Sequence, residues 1–293
     1  MMMEFYNELQ GGNGPVFLKL DHLAEETIQE IEHVLHTNER PSRGRFHDGR
    51  GTNYRTKMVE MHISEIGFCA GHSASGVWIN EKGETTVPGL YGAGDMASIP
   101  HSYMLGAFVY GQICGENAAG FIRDRALPEL DDGFIISERE RILAPLKRSD
   151  GIPPNQFEYK VRRLVNDYLQ PPKITKKMDI GLARLQAMEA DIPYLYARDP
   201  HELLRANEAQ HILDCAKMAA FASLYRQESR WGLYHNYVDH PQTDNDNWFC
   251  HVQLFKDEQN RMRCRKKAIE PYVVELDEHE KSAYQQLRVK RAG

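Results

Sequence analysis

The run Val87-Pro88-Gly89-Leu90-Tyr91-Gly92-Ala93-Gly94-Asp95-Met96-Ala97 places three glycines and a carboxylate at the end of an apolar stretch. Gly89, Gly92 and Gly94 remove Cβ atoms where the chain must turn, which lets the backbone approach a flat ligand closely. Asp95 adds an acceptor beside the turn, suited to the hydroxyls of a ribose-like or ribityl group. The same residues also fit an ordinary connection between a buried strand and a helix, and the run alone leaves both readings open.

A helix expected from about Tyr103 to Arg123 follows, with Ala107, Gly111, Gly115 and Ala119 recurring every four residues. Glycine inside a helix costs about 1 kcal/mol relative to alanine, so Gly111 and Gly115 must be compensated. Two compensations are available: tight packing of the helix on a sheet, or a helix N-terminus aimed at a group that carries negative charge.

Other elements surround this segment. Pro15 to Leu20 reads as a strand, and Leu23, Thr27, Ile28, Ile31, Val34 and Leu35 form one face of a helix with Glu25 and Glu26 in its first turn. Arg40 to Arg50 is locally basic and loop-like, a solvated loop or a surface for an anionic partner. Glu60 to Asn80 reads as extended segments, and Lys82-Gly83 as a hairpin turn before the glycine-rich run. After Arg125 prolines and glycines punctuate charged helical stretches, which marks a separate helical domain. Its longest helix is expected from about Pro200 to Arg226, with Ala209, Leu213, Ala216, Ala220 and Leu224 facing a core. Glu228-Ser229-Arg230-Trp231-Gly232 and Asp239 to Trp248 are polar-aromatic clusters too irregular for a plain solvated face.

Composition bounds the function. The 293 residues carry 36 Lys+Arg against 42 Asp+Glu, a net charge of -6, which argues against a nucleic-acid or anionic-membrane partner. With 41% hydrophobic residues the chain can build a real core. No apolar run is long enough for a membrane helix, and the first residues lack a signal-peptide pattern, so a cytoplasmic protein without a transmembrane segment is expected. The 5 cysteines form no close pair and the 13 histidines show no metal-ligand spacing, so reduced thiols and no metal site are expected.

Taken in order, these pieces resemble the C-terminal half of the fumarate reductase and succinate dehydrogenase flavoprotein family, and within it the adenylylsulfate reductase alpha-subunit branch. Gly14-Pro15 to Leu23 is similar to the strand and helix of that family's capping domain, and Val87 to Asp95 to its second flavin-binding segment. Glu228-Ser229-Arg230-Trp231 and Asp244-Asn245-Asp246-Asn247-Trp248 are similar to the sequence after the long helix of the family's C-terminal domain. The resemblance implies an α/β FAD-binding fragment with part of a capping domain, followed by a mainly helical C-terminal domain. Residues 1–60 would be the capping-domain remnant, 61–125 the C-terminal segment of the FAD-binding domain, and 126–293 the helical domain.

Carried over residue by residue, the resemblance implies that Gly94 and Asp95 hold the hydroxyls of FAD, and that Leu105, Gly106 and Ala107 lie against its isoalloxazine ring. Cys69 to Gly76 occupies the place of the family's active-site histidine segment, so His72 becomes the first candidate for touching substrate and His101 the second. The implied activity is electron transfer between a small-molecule substrate and a small iron–sulfur, ferredoxin-like protein. Where the dicarboxylate enzymes carry a clamp arginine, two residues before the glycine of the flavin-facing turn, this sequence has Met104. Fumarate and succinate are therefore not the expected substrates. No Gly-x-Gly-x-x-Gly is present, and the family's catalytic arginine and flavin-attachment region would lie upstream of Met1, so a fragment or one part of a split protein is expected. The alternative is a catalytically incompetent truncated paralogue that serves in binding or as an assembly subunit. An unrelated α/β hydrolase or transferase has little support, since no Gly-x-Ser-x-Gly or comparable nucleophile motif is present.

Overall fold

The computed structural model describes residues 2–38, 41–61, 75–99, 103–123, 125–126, 129–230 and 235–269. The chain divides into two compact units, residues 1–66 and 67–293.

In the first unit, α1 (Met2–Gln10) leads to a short strand β1 (Val16–Leu18), which pairs antiparallel with β2 (Val59–Met61) in the register Val16↔Met61. Helices α2 (Glu25–His33) and α3 (Pro41–Gly49) lie between the strands in sequence. Ile28 of α2 is buried, as the apolar periodicity requires, and Glu25 and Glu26 sit in the first turn where acids oppose the helix dipole. The Arg55 guanidinium forks between the carboxylates of Glu25 and Glu32 at 2.6–3.1 Å. The basic stretch expected as a loop is helix α3 instead. Pro41 supplies the φ of a first helical residue, and Gly44, lacking a Cβ, lets α3 close on the His36 ring, whose atoms stand 2.9–3.1 Å from where that Cβ would be.

In the second unit the described residues from 75 onward form hairpin-like turns and the long helix α4 (Tyr103–Ile122), followed by α5 (Asp132–Leu143), whose N-terminus is capped by the Asp131 carboxylate. The helical core is built from α6 (Pro154–Leu164), α7 (Thr175–Ala187) and α8 (Pro200–Tyr225). Three local signals start α8. The Asp199 side chain accepts the Glu202 N–H at 2.8 Å, Pro200 follows it, and the Glu202 carboxylate accepts the Arg198 N–H at 2.9 Å. Ala206, Ala209, Leu213, Ala216 and Ala220 are buried along one face of α8, and four alanines among five positions let α6 and α7 approach closely. Phe157, Val161, Met178, Leu185 and Tyr237 fill the space between the helices, while Leu224 is only partly buried at the edge of this core.

Beyond α8 the chain makes one helical turn, Asn245–Trp248, and then an antiparallel ribbon of β3 (Cys250–Lys256) and β4 (Met262–Ala268) in the register Leu254↔Cys264. Val87 and Leu90, expected in a buried strand, are 55% and 51% exposed, and only isolated bridges form there. No layer of the described residues covers them, and an apolar strand is stable only where its face is covered. No described helix is long and apolar enough to cross a membrane.

Candidate functional site

The glycine-rich run folds into two nested turns braced by α4. Asn80 organises the first turn: its Oδ1 accepts the N–H groups of Lys82 and Glu84 at 3.0 and 2.9 Å, and its Nδ2 donates to the Glu84 carboxylate at 2.7 Å. Gly83 then takes φ +76°, and its carbonyl accepts the Gly92 N–H at 2.9 Å. The second turn, Gly94–Met96, starts from Gly94 at φ +72° and closes with Ala97 N–H donating to the Gly94 carbonyl at 3.0 Å. Val77 docks alongside, donating to Met96 O at 2.8 Å and accepting from Ser98 N–H at 2.9 Å. A Cβ on Gly76 would stand 2.6 Å from Met96 O, so only glycine permits this approach.

Helix α4 meets these turns along one face. Ala107, Cys114 and Phe121 recur every seven residues, two helical turns apart, and each faces a glycine. The Ala107 methyl lies 3.5 Å from where a Gly94 Cβ would be, and Phe121 packs on Gly89 at 3.1 Å measured the same way. A Cβ on Gly83 would overlap Cys114 Sγ, which also lies 3.4 Å from Gly92 O. Gly111 and Gly115, expected to be compensated by packing or by a nearby charge, face open space, with no described residue within 4 Å of where a Cβ would be. Gly111 and Gly115 mark the open side of α4, and Ala107, Cys114 and Phe121 its packed side.

The structure therefore brings Gly94, Asp95, Leu105, Gly106 and Ala107 together where the second turn abuts the start of α4. Asp95 is exposed and accepts no hydrogen bond from a described residue. Gly106 is buried, while Met104 and Leu105 are 69% and 68% exposed, and Phe108, one turn on from Met104, is 68% exposed. His72 and His101 lie outside the described residues.

The two polar-aromatic clusters form a buried ion centre. Glu228, fully buried, accepts from Arg226 Nη1 at 2.6 Å, from Arg230 Nε and Nη2 at 2.6 and 2.9 Å, and from the Asp244 N–H at 2.9 Å. Arg226 also donates to the carbonyls of Trp248 and Cys250 at 2.8 and 2.5 Å, and Arg230 to Asn245 Oδ1 at 2.9 Å. One carboxylate thus ties the end of α8 to the turn and ribbon that follow. Next to it, Lys173 Nζ donates to Ser223 Oγ and to His235 Nδ1, both at 3.0 Å. His235 Nε2 points at Arg226 O, 3.3 Å away, so the neutral ring carries its proton there. Burial, reinforced by the Lys173 charge, holds the His235 pKa down to about 3. Residues 228, 230 and 244–248 stand out in the sequence by their irregular polarity. Lys173, far upstream, carries no such signal.

Residues 158–284 match the family described as the fumarate reductase flavoprotein C-term. An FAD-dependent oxidoreductase of Methanocaldococcus jannaschii is 25% identical over 249 residues, which span 81% of this chain and 43% of that protein. One of the subunits of the CoM/CoB fumarate reductase of Methanothermobacter marburgensis is 24% identical over 255 residues, with the same shares of 81% and 43%. The chain thus spans less than half the length of these curated relatives. Among solved structures, adenylylsulfate reductase from Archaeoglobus fulgidus superposes with a TM-score of 0.75 at 22% identity, over 92% of this chain and 50% of that one. In sequence order and in fold, this chain resembles the C-terminal half of the flavoproteins of the fumarate reductase, succinate dehydrogenase and adenylylsulfate reductase type, which are FAD-dependent oxidoreductases.

Proposed function

We propose that this chain is the C-terminal part of an FAD-dependent oxidoreductase that passes electrons between a small substrate and a ferredoxin-like iron–sulfur protein. The carrying observation is the junction of the Gly94–Met96 turn with α4. A left-handed glycine, a free carboxylate, a buried Gly106 and the open glycines of α4 form one wall of a site for a flat ligand. FAD fits this wall. The Asp95 carboxylate would accept hydrogen bonds from its ribityl or ribose hydroxyls, and Leu105 to Ala107 would lie along the ring. The first turn of α4 contributes the positive end of a 20-residue helix dipole, which favours added negative charge beside it. When bound, the flavin supplies the hydride and electron chemistry.

The other assignments rest on the resemblance and on chemistry. His72 would orient the substrate by donating or accepting a hydrogen bond, with His101 as the second candidate in that role. Met104 leaves no cation to clamp a second carboxylate, so the substrate class is one other than C4 dicarboxylates. Residues 1–60 would serve as part of a capping domain, 61–125 as the distal part of the flavin domain, and 126–293 as the helical support.

The test is FAD titration followed by quenching of flavin fluorescence, with the chain alone and with it co-expressed beside a segment bearing a strand, Gly-x-Gly-x-x-Gly and helix. The chain alone is expected to bind weakly, because the pyrophosphate normally sits on a helix N-terminus of that other segment. Flavin is expected to be retained by the co-expressed pair and to weaken about tenfold or more with Asp95→Ala, the loss of one charge-assisted hydrogen bond. Unchanged retention in Asp95→Ala would reduce Asp95 to a turn residue and remove the main support for the site.

A further inference from the structure

We propose that the outer edge of β4 is a docking site for an extended acidic segment of a partner protein, which joins the β3–β4 ribbon as a third strand. The inference stands apart from the flavin site. Among the described residues the ribbon has two strands only, so the second edge of β4 carries backbone N–H and C=O groups that no described strand pairs. An edge of this kind is a template for strand addition.

Its side chains state which segment would fit. The register pairs Phe255 with Arg263, Gln253 with Arg265 and His251 with Lys267, so Arg263, Arg265 and Lys267 form a row on one face of the ribbon. All three are exposed, and so is Phe255. Two-residue steps along a strand are about 6.8 Å, and carboxylates at every second residue of an added strand repeat at the same interval. From Cys250 to Ala268 the cations Lys256, Arg261, Arg263, Arg265, Lys266 and Lys267 face only Asp257 and Glu258, in a chain whose net charge is -6. Asp257 accepts from Arg261 and Arg263 at 3.0 and 2.9 Å. Arg265 and Lys267 meet no carboxylate among the described residues, while Lys266 donates to Asn247 O at 2.9 Å and lies in the field of the Asp244 carboxylate. These three are held in place, Arg265 by Gln253 and the Phe255 ring, Lys266 over Trp248 at 3.7 Å, and Lys267 over Trp78 at 4.5 Å. Cations already fixed by ring contacts lose less freedom when a carboxylate arrives, which favours association. The acidic character of the whole chain and the strand-matched spacing favour a peptide over a nucleic acid.

The experiment is fluorescence anisotropy of a labelled Thr-Glu-Val-Glu-Val-Glu-Thr peptide titrated with the full 293-residue chain. Saturable binding that weakens with salt is expected. R263E/R265E/K267E is expected to lose roughly tenfold or more in affinity. K256E, on the same ribbon outside the row, should stay within about threefold. A peptide N-methylated at alternate residues should not bind, since it cannot complete the ladder. Four results would overturn the proposal: no saturable binding, equal binding of the N-methylated peptide, an unaffected triple variant, or tighter binding of an oligothymidine. Binding that appears only in the full chain carrying Glu275→Gln, Asp277→Asn and Glu278→Gln would make the chain's own acidic segment the occupant and would equally overturn a partner.

Discussion

Replacing Glu228 by Gln keeps the shape of the side chain and removes the charge from the centre of the ion network. Glu228 receives four donors on two oxygens: Arg226 Nη1 and Arg230 Nε on Oε1, and Arg230 Nη2 and the Asp244 N–H on Oε2. A glutamine has one acceptor oxygen, so in either orientation two of these donors face an amide N–H. Arg226 keeps the carbonyls of Trp248 and Cys250, and Arg230 keeps Asn245, so neither guanidinium is left bare. Both are nonetheless largely buried, with 16% and 19% of the side chain exposed, and would share no counter-charge. Removing one partner of a buried pair costs about 3–5 kcal/mol, and the retained carbonyls place the expected loss near 3 kcal/mol. That is a large share of a typical stability of roughly 5–15 kcal/mol. The assay is urea denaturation of wild type and Glu228→Gln, followed by far-ultraviolet circular dichroism, which reports the α6–α8 helices. A fall in the midpoint with little change in slope is expected. The loss should persist at high salt, because buried pairs are weakly screened. A change below about 0.5 kcal/mol, the range of an ordinary surface substitution, would show that the network contributes packing alone and refute the electrostatic reading.

Three further outcomes are expected. His235 has a pKa depressed from 6.5 to about 3 in the folded chain, so below pH 6.5 the unfolded state binds a proton the native state refuses. Stability should fall by up to about 1.4 kcal/mol per pH unit from this site as the pH drops toward 3, and His235→Gln should remove that component from denaturation midpoints compared at pH 7 and 5. Gly83→Ala should lower the melting midpoint, since the backbone is left-handed and the new methyl overlaps Cys114 Sγ; Cys114→Ala should recover part of the loss in the double variant, and complete additivity would contradict the contact. In a flavin-loaded form containing this chain, stopped-flow reoxidation by fumarate should be poor in wild type and gain in Met104→Arg; rapid reoxidation of wild type would defeat the substrate argument.

Much of this molecule is written locally. The start of α8 is legible because Asp199, Pro200 and Glu202 act within one turn, and its buried face because alanines and Leu213 recur with the helical period. The turn at Gly94–Met96 is legible because a positive φ selects glycine and nothing distant is required. Helix α3 was hidden because its closure depends on the His36 ring fitting under Gly44, a contact between two elements that no window of sequence displays. The face of α4 that packs was hidden for the same reason. Ala107, Cys114 and Phe121 acquire meaning only through Gly94, Gly83 and Gly89, which the chain places opposite them by folding back. The sequence alone marked Glu228, Arg230 and Asp244 as unusual, but their convergence on one buried carboxylate, with Lys173 and His235 beside it, was decided by tertiary structure. Charges so far apart in the chain become partners only where the fold excludes water from the space between them.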